Sequence, residues 1–243
     1  MARDQLLAGQ TLLVIGGSSG IGFETARLAH DEGAKVIITA RDPEGVQRAG
    51  LDVDGSIAAF DATDFERLRT FFAALRSPID HVLVTGPGPN HMPPGEFDLD
   101  KARRDLEAHL LLPLQVAHEA ANVVRPPGTL LFIGCSDGRR STVGLAFISA
   151  ITAALSAMTK SLASELAPTR VNVITAGFVD TQASAARLGD RLGPRRVQLE
   201  TTLPIRRVVG AADVAALAVH LMTNTAITGG TFEIDGGQQL IES

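Results

Sequence analysis

The feature that most constrains the fold of this chain is a glycine-rich stretch close to its start. The stretch reads Gly16-Gly17-Ser18-Ser19-Gly20-Ile21-Gly22, directly after the apolar run Thr11–Ile15 and directly before a segment with helical periodicity. Glycine lets the backbone turn tightly and approach another group closely. The following helix presents free N–H groups and the positive end of its dipole at the same place. This context predicts a pyrophosphate-binding loop, and a purely structural glycine turn is the alternative.

Short apolar runs alternate with helical segments from the beginning of the chain to its end. Their near-continuous apolarity is typical of strands covered on both faces of a parallel sheet. We predict strands at Thr11–Ile15, Lys35–Ala40, Ser56–Phe60, His81–Val84, Thr129–Gly134, Arg170–Thr175 and Thr231–Ile234. The alternation predicts an α/β class: a single-domain Rossmann fold over residues 1–243, with a doubly wound parallel seven-stranded sheet and helices on both faces.

Start and stop signals delimit the first helices. A helix at Ile21–Asp31 is expected to stop at Gly33, because glycine accepts the left-handed conformation that ends many helices. The pair Thr63 and Glu66 has the spacing of a capping box. It predicts that a helix opens directly afterwards and covers Asp64–Leu75.

Longer segments follow in the second half of the chain. A helix at Asp98–Val124 contains Pro113, which we expect to kink or break it. A helix at Val143–Ala167 is rich in Ala, Leu and Ile nearly all round, which predicts burial on several sides. The polar segment Gln182–Arg207 holds six arginines. We expect it to be a flexible flap that contributes to a substrate site, with a plain surface excursion as the alternative.

Composition narrows the partners and the location. The net charge is −5 at pH 7, which favours neither nucleic acid nor an anionic membrane as a partner. The run Leu12–Ile15 ends at Gly16 and is too short for a signal or membrane-spanning segment. Cys135 is the single cysteine, so no internal disulfide forms and a cytoplasmic location is the simplest expectation. No metal site is predicted.

The motif Gly16-x-x-x-Gly20-x-Gly22 resembles the cofactor loop of the short-chain dehydrogenases/reductases. The resemblance extends over nearly the whole chain and includes Arg170–Val173, Ala176–Thr181, Leu203–Arg207 and Ile234–Gly237. It departs from the family at Ile15, where Thr is usual, and at Ala176, where Pro is usual.

The resemblance implies a set of cofactor contacts. They are Gly16, Ser18, Ser19, Gly20, Ile21, Gly22, Arg41, Asp61, Ala62, Gly86, Gly88, Ala176, Gly177, Val179 and Thr181. Asp61 resembles the aspartate that contacts adenine in the family, and a solvated residue ahead of a helix is its alternative. Thr181 belongs to a segment that resembles the loop around the nicotinamide, and it has the alternative of merely capping the next segment.

The end of the second predicted strand bears on the choice between NAD and NADP. NAD sites place an acidic residue there to bind the ribose 2′-hydroxyl. Here that place resembles Ala40, followed by Arg41, and a guanidinium pairs well with a 2′-phosphate. We therefore expect NADP(H) in preference to NAD(H). Asp42 lies close enough to leave NAD open, and a merely solvated Arg41 is the alternative.

The proton relay of the family is missing. Family members use Ser, Tyr and Lys with an Asn on a neighbouring helix, and the Tyr protonates the oxygen that gains charge during hydride transfer. Residues 147–155 resemble the family's Tyr-x-x-x-Lys helix, but Phe147 stands for the Tyr and Ile151 for the Lys. The chain contains no tyrosine, so no other alignment supplies one. An ordinary carbonyl or alcohol oxidoreductase is therefore not expected.

The remaining relay positions also depart from the family. His109 resembles the position of the Asn, and the Ser falls at Gly134 or Cys135, or at Ser136 with a one-residue gap. His109 and Ser136 are the candidates for substitute catalysis, because imidazole titrates near neutrality and the strand end is a usual ligand site. A purely structural histidine is the alternative. We expect Cys135 to be an unreactive core thiol.

Two kinds of function follow. The first is a cofactor-binding pseudoenzyme, acting as a sensor, a scaffold or an inactive subunit. The second is an enzyme with altered chemistry, either an atypical NADPH-dependent reductase or a non-redox cyclase, isomerase or lyase, with His109, water or the substrate as proton source. The ligand is expected to be a small molecule, and Arg139 and Arg140 would bind an acidic one unless they are merely solvated. The resemblance implies a homo-oligomer, either a dimer or a homotetramer.

Overall fold

A computed structural model describes residues 5–76, 78–139 and 143–241 of the protein. The strands are β1 (Thr11–Ile15), β2 (Lys35–Ala40), β3 (Ser56–Ala59), β4 (Ile79–Val84), β5 (Val124–Cys135), β6 (Arg170–Ala176), β7 (Val179–Asp180), β8 (Val209–Gly210) and β9 (Thr231–Ile234). In this part of the chain, a parallel seven-stranded sheet has the order β3-β2-β1-β4-β5-β6-β9. Strands β7 and β8 form a separate parallel pair.

The helices are α1 (Gly20–Asp31), α2 (Pro43–Asp52), α3 (Phe65–Ala74), α4 (Leu99–Leu106), α5 (Leu112–Ala120), α6 (Ala146–Glu165), α7 (Gln182–Leu188), α8 (Leu192–Thr202) and α9 (Ala211–Thr223). Helices α1, α2 and α9 pack on one face of the sheet, and α3, α5 and α6 pack on the other. The predicted class, a single-domain Rossmann-type α/β fold with helices on both faces, is confirmed.

Two apolar layers hold the sheet between its helices. Side chains alternate along β1, so Leu12 and Val14 belong to one layer while Leu13 and Ile15 belong to the other. All four are at most 1% exposed. Burying each such side chain stabilises the fold by about 1.5–3 kcal/mol. Burial on both faces explains why the strand residues read as almost uninterrupted apolar runs.

The strands lie where the apolar runs predicted them, with differences at their ends. Strands β1, β2 and β9 have the predicted bounds. Strand β5 begins earlier than predicted, at Val124, because Ile79 pairs with Val124 whereas His81 pairs with Thr129. The residues between Val124 and Thr129 form an irregularity in the pairing of β4 with β5. This irregularity accommodates two prolines, which lack an N–H.

The first helix ends as predicted, and the start of the third one corrects the expected capping box. Gly33 follows the end of α1 with φ +88°. Asp64, and not Thr63, is the N-cap of α3, and its carboxylate accepts from the N–H of Arg67 at 3.1 Å. Thr63 instead donates its N–H and its hydroxyl to Asp61. The predicted capping box was therefore wrong.

The predicted long helix is interrupted near its proline. Helix α4 is followed by a π-helical segment, Glu107–Leu111, and then by α5, which ends at Ala120 and not at Val124. Pro113 lies in the first turn of α5 and has no N–H to donate to the preceding turn. The π segment accommodates an extra residue in its turn and so compensates for this missing hydrogen bond. At the expected break the helix is therefore locally widened.

Helix α6 packs through one face. Its buried residues recur at helical spacing from Ile148 to Leu162, so the predicted burial on several sides is wrong for the single chain. Among the described residues, α6 has the length and apolar composition that a membrane crossing requires. The core helices of globular proteins meet the same two criteria, and the buried face of α6 contacts β5 and β6.

The polar segment Gln182–Arg207 is largely helical. It contains α7, the short turn Gly189–Arg191 and α8. The pairing of Val179 with Val209 brings the two ends of the segment together. The segment is therefore a closed excursion that leaves the sheet after β6 and returns before α9.

Candidate functional site

The carboxyl ends of the central parallel strands lie along one edge of the sheet, here called the carboxyl edge. The chain leaves β1 towards β2 on one side, and β4 lies on the other side of β1. Open α/β sheets bind their ligands at such a switch point. The loops after β1, β2, β4, β5 and β6 therefore define the candidate site.

The glycine loop after β1 is pressed against the loop after β4. Gly16 has φ +91°, and a Cβ there would lie 2.1 Å from the carbonyl oxygen of Thr85. A Cβ on Gly22 would lie 2.4 Å from the carbonyl oxygen of Gly16. Gly20 has φ +57° and faces the methyl group of Thr181. Each of these glycines is thus required by a close approach or by its backbone conformation.

The N-terminus of α1 is left without a side-chain cap. Ser19 is the N-cap residue, but its hydroxyl makes no capping hydrogen bond, and the first turn holds no acidic residue. Helices α2, α3, α4 and α7 differ, because a side chain caps each of them. Ile21 packs against the core and fixes the helix start. The first N–H groups of α1 and its positive dipole end therefore suit an anion.

The end of β2 holds an exposed cation and an engaged carboxylate. Asp42 caps α2, since its carboxylate accepts from the N–H groups of Glu44 at 3.2 Å and Gly45 at 3.0 Å. Ser18 lies beside this helix start, with its Cβ 3.5 Å from the Cβ position of Gly45. Arg41 is exposed at the same edge.

Asp61 follows β3 close to Arg41. It accepts hydrogen bonds from the N–H and hydroxyl of Thr63 at 3.0 and 2.8 Å. Partial burial raises the pKa of Asp61, but the bonds from Thr63 and the charge of Arg41 outweigh it and leave that pKa below its ordinary value. Ala62 packs beside the apolar layer under β3. The carboxylate is thus held ionised at the predicted adenine side.

The loop after β4 is open on one side. The Cβ direction of Gly86 meets no atom within 4 Å, and that of Gly88 meets only the guanidinium of Arg187, with Nη1 3.8 Å away. Other parts of the chain therefore leave space beside these two glycines. Arg187 reaches this loop from α7, across the site.

The end of β5 holds a buried serine and a weakly acidic thiol. Ser136 is 2% exposed, and its N–H donates to the carbonyl of Ala176 at 2.8 Å. Burial raises the pKa of Cys135 to about 11, with Asp137 acting in the same direction and Arg187 in the opposite one. A thiol that stays protonated near neutral pH is a poor nucleophile. Neither side chain has the setting of an activated group.

The end of β6 is packed against the C-terminal turn. A Cβ on Gly177 would lie 2.7 Å from the Cβ of Asp235, and Val179 is buried in the pair of β7 with β8. Thr181 caps α7, since its hydroxyl accepts from the N–H of Ser184 at 3.2 Å. The capping interpretation of Thr181 therefore holds, and its methyl group still lies beside Gly20 at the start of α1.

Comparison with known protein families identifies the family of this chain. The family model described as "Enoyl-(Acyl carrier protein) reductase" matches residues 15–239. The chain belongs to the short-chain dehydrogenase/reductase family. Its relatives include the short-chain dehydrogenase/reductase ATR9 of Stachybotrys chlorohalonatus (strain IBT 40285), 26% identical over 95% of this chain and 97% of that protein.

Other proteins are similar to this chain in sequence or structure. The cyclic-di-GMP-binding biofilm dispersal mediator protein of Escherichia coli (strain K12) is 29% identical over 94% of this chain and 96% of its own. The structure of the reductase/Diels-Alderase MalC from Malbranchea aurantiaca superposes with a TM-score of 0.90, 24% identity and coverage of 98% and 99%. BdcA in complex with NADPH has a TM-score of 0.87, 25% identity and coverage of 98% of both chains.

The helix that resembles the Tyr-x-x-x-Lys helix of short-chain dehydrogenases/reductases is apolar at both key positions. Phe147 packs edge-on against Phe97, with ring centroids 6.5 Å apart. Ile151 lies one turn further along α6 and is 4% exposed. Neither side chain can donate or accept a proton. This part of the site is therefore an apolar wall, here defined as Phe97, Phe147 and Ile151.

His109 lies on the π segment that packs against α6. Burial lowers the pKa of His109 from its ordinary value, while Asp105 acts in the opposite direction. Asp105 is buried and accepts from the N–H and side-chain amide of Asn90, at 2.8 and 2.9 Å. The imidazole is thus a mostly neutral group at neutral pH, close to a fixed carboxylate.

Sequence reasoning missed three residues whose contacts shape this candidate site. Asp105 and Gln238 sit in segments without a recognised motif, and Arg187 was one of six arginines in a polar segment. Gln238 donates to Asp137 at 2.7 Å and accepts from the N–H of Phe178 at 3.0 Å. Its position directly after the Asp235-Gly236-Gly237 signature was the available signal.

Two further expectations concern Arg139 and Arg140 and the absence of a metal site. The side chain of Arg139, and Arg140 as a whole, lie outside the described residues. Within the described ranges, no group of three His, Cys, Asp or Glu side chains has the arrangement of a metal site.

Proposed function

We propose that this chain is an NADP(H)-binding pseudoenzyme of the short-chain dehydrogenase/reductase family, which binds its cofactor without ordinary carbonyl or alcohol turnover. One observation carries the proposal: a glycine loop built for close approach lies on the same edge of the sheet as an apolar α6 face. The chain has no tyrosine with which to replace the missing acid. Loss of a general acid lowers a rate by about 10²–10⁴-fold.

The residues present fit a dinucleotide. The uncapped start of α1 supplies N–H groups for a pyrophosphate, with Gly16, Gly20 and Gly22 keeping side chains out of its way. Asp61 would accept from the adenine, and the open backbone at Gly86 would face the sugar next to it. When bound, NADPH supplies a hydride, and this chain offers no tyrosine to protonate the acceptor.

The preference for NADP over NAD rests on the end of β2. The Asp42 carboxylate is occupied by two N–H groups of α2 and so competes poorly for a ribose 2′-hydroxyl. Arg41 is exposed directly before the start of α2, where its guanidinium would pair with a 2′-phosphate. The NADPH complex of the similar protein BdcA supports the same choice.

A role in ligand binding has a parallel among the similar proteins. The Escherichia coli relative is named for binding cyclic-di-GMP and for mediating biofilm dispersal, and not for a reaction. For this chain we propose a sensor, a scaffold or an inactive subunit, located in the cytoplasm.

A second candidate function is supported by His109. Its neighbour Asp105 is fixed by Asn90, and the π segment brings the imidazole against α6. An enzyme with altered chemistry, either an NADPH-dependent reductase or a non-redox cyclase or isomerase, would use this imidazole as its proton source.

Calorimetric titration with NADPH and then NADH tests the proposal. Tight NADPH binding, weak NADH binding and no turnover with a panel of aldehydes and ketones would support a pseudoenzyme. In Arg41→Ala the preference for NADPH should vanish, whereas Arg48→Ala, an exposed arginine of α2, should keep it. Turnover that is lost in His109→Ala would favour the second candidate. No binding of either nucleotide would overturn the pseudoenzyme proposal and the NADPH-dependent form of the second candidate.

We also propose that the protein is a homodimer or homotetramer. Along α4 and α5, Leu99, Leu106, Leu111 and Leu114 are exposed on the single chain. Covering apolar side chains of this kind favours association. Light scattering on the purified protein measures the mass, and a monomer at micromolar concentration would contradict the proposal.

A further inference from the structure

We propose that Arg187 selects a substrate or ligand that carries a carboxylate, by offering its guanidinium at the carboxyl edge beside the loop after β4. The inference rests on the proposed NADP(H)-binding function, because it assigns the chemistry of the small molecule that shares the site with the cofactor.

The guanidinium of Arg187 lies at the carboxyl edge, away from its own helix. The residue belongs to α7, yet its Nη1 lies 3.8 Å from the Cβ position of Gly88, in the loop after β4. Its charge also acts on the Cys135 thiol at the end of β5. The guanidinium therefore lies over the ends of two adjacent central strands, where open α/β sheets hold their ligands.

The second step is that three other arginines of the same segment are engaged. Arg196 pairs with Asp180 at 2.8 Å, and Arg207 pairs with Asp213 at 2.6 Å. Arg195 contacts Gln198 and the ring of Phe178. In the described part of the chain, Arg187 forms no ion pair. Its five N–H donors are thus available to a ligand.

The surroundings of Arg187 favour an outside anion over an internal one. Asp137 is the carboxylate next to Cys135, and its Oδ1 already accepts from Gln238 at 2.7 Å. Gly86 and Gly88 add no side chains to the space beside the guanidinium. A carboxylate fits the planar guanidinium with two parallel hydrogen bonds, which a neutral amide cannot match.

The apolar wall fits the remainder of such a molecule. Phe147 and Phe97 offer aromatic surface, while Ile151 is buried, and none of the three carries a charge. A ligand with an apolar body and one carboxylate would therefore satisfy both parts of the site. An aromatic carboxylic acid is the class that this arrangement fits best.

Calorimetry with two matched probes tests the proposal. The probes are 4-carboxybenzaldehyde and its neutral analogue 4-formylbenzamide, titrated into the free protein and into NADPH-saturated protein. We expect the wild type to prefer the carboxylate by about tenfold or more, because one charge-assisted bidentate pair exceeds a neutral contact by this amount. Arg187→Gln should bring the two affinities within about twofold and leave NADPH affinity unchanged.

Arg191→Gln is the matched control, because it removes the same charge from the exposed turn next to α7. It should keep the wild-type preference. Equal affinity of the wild type for both probes, or a preference that survives in Arg187→Gln, would overturn the proposal. A selective loss of NADPH affinity in Arg187→Gln would assign the guanidinium to the cofactor and overturn it as well.

The two proposals fail separately. If no variant binds NADPH but the free protein prefers the carboxylate and loses that preference in Arg187→Gln, the cofactor function is wrong and the carboxylate site stands. If NADPH binds and the preference is absent, only the carboxylate site is wrong.

Discussion

The side-chain amide of Gln238 joins the C-terminal turn to the end of β5, because its Nε2 donates to Oδ1 of Asp137 at 2.7 Å. Its Oε1 accepts from the N–H of Phe178, at the end of β6. A single buried side chain therefore holds three segments of the carboxyl edge in fixed relation.

Gln238→Leu should destabilise the protein by about 1–3 kcal/mol, because it keeps the volume but leaves buried polar groups unpaired. Urea unfolding measures the change in the free energy of unfolding. Gln239→Leu is the control: its amide donates to the exposed Glu233, so a change within about 0.5 kcal/mol is expected. Equal effects of the two substitutions would contradict a special role for Gln238.

His81 should make the protein less stable as the pH falls. The residue is 3% exposed, and Nδ1 has no hydrogen-bond partner among the described residues, while Nε2 lies 2.6 Å from Oε1 of Gln10. Burial lowers the pKa of His81 to about 4, with Asp80 opposing and Arg170 assisting the shift. An unfolded histidine titrates near 6.5, so between these pH values the unfolded state binds more protons than the folded state.

The loss of folding stability from His81 therefore occurs as the pH falls. Stability from His81 is complete above about pH 6.5 and declines by on the order of 3 kcal/mol as the pH falls to 4. Thermal unfolding from pH 7 to pH 4 measures the decline. It should be shallower in His81→Gln, whereas His30→Gln, at an exposed position of α1, should follow the wild type. Parallel curves for all three proteins would rule out His81 as the cause.

Gly22→Ala should lower NADPH affinity by at least about tenfold, because the added Cβ would lie 2.4 Å from the carbonyl oxygen of Gly16 and 2.8 Å from the methyl of Thr85. The loop must open to admit it. Calorimetry measures the affinity. Gly95→Ala introduces the same methyl where no atom lies within 4 Å and should have no effect. Undiminished NADPH binding in Gly22→Ala would remove the loop from the cofactor site.

Restoring the relay should create activity. Phe147→Tyr combined with Ile151→Lys supplies the acid and the cation that the family uses, and should raise NADPH-dependent reduction of simple aldehydes by about 10²-fold or more. The gain should come with lower thermal stability, since the lysine replaces a buried isoleucine. Phe147→Tyr with Ile151→Met is the control and should stay inactive. An inactive double variant that still binds NADPH would place the defect elsewhere.

The central strands β1, β4 and β6 were predictable because each is buried on both faces, which leaves a continuous apolar run that no surface element shares. The start of α3 was not, because Thr63 and Asp64 are both good caps. The sequence does not reveal that Thr63 is taken up by Asp61. Competition between adjacent caps is decided by three-dimensional neighbours.

The glycine loop was predictable from its local context, whereas the rest of the site depends on distant partners. Arg187 reaches Gly88 from a helix almost one hundred positions later, so periodicity carries no trace of the contact. The same holds for Gln238 and Asp137, which follow β9 and β5 and lie about one hundred positions apart in the sequence. Contacts between side chains of distant loops produce no regular spacing in the sequence from which they could be predicted.

Because β7 pairs with β8, the helical segment between them can be exchanged as one unit, here called the cassette. Because Val179 and Val209 already hold its two ends together, changing the number of residues inside adds only a small closure entropy, which grows slowly with loop length. Whole replacements of α7 and α8 should therefore leave the sheet intact. An engineer could graft other ligand specificities onto this chain by exchanging that cassette alone.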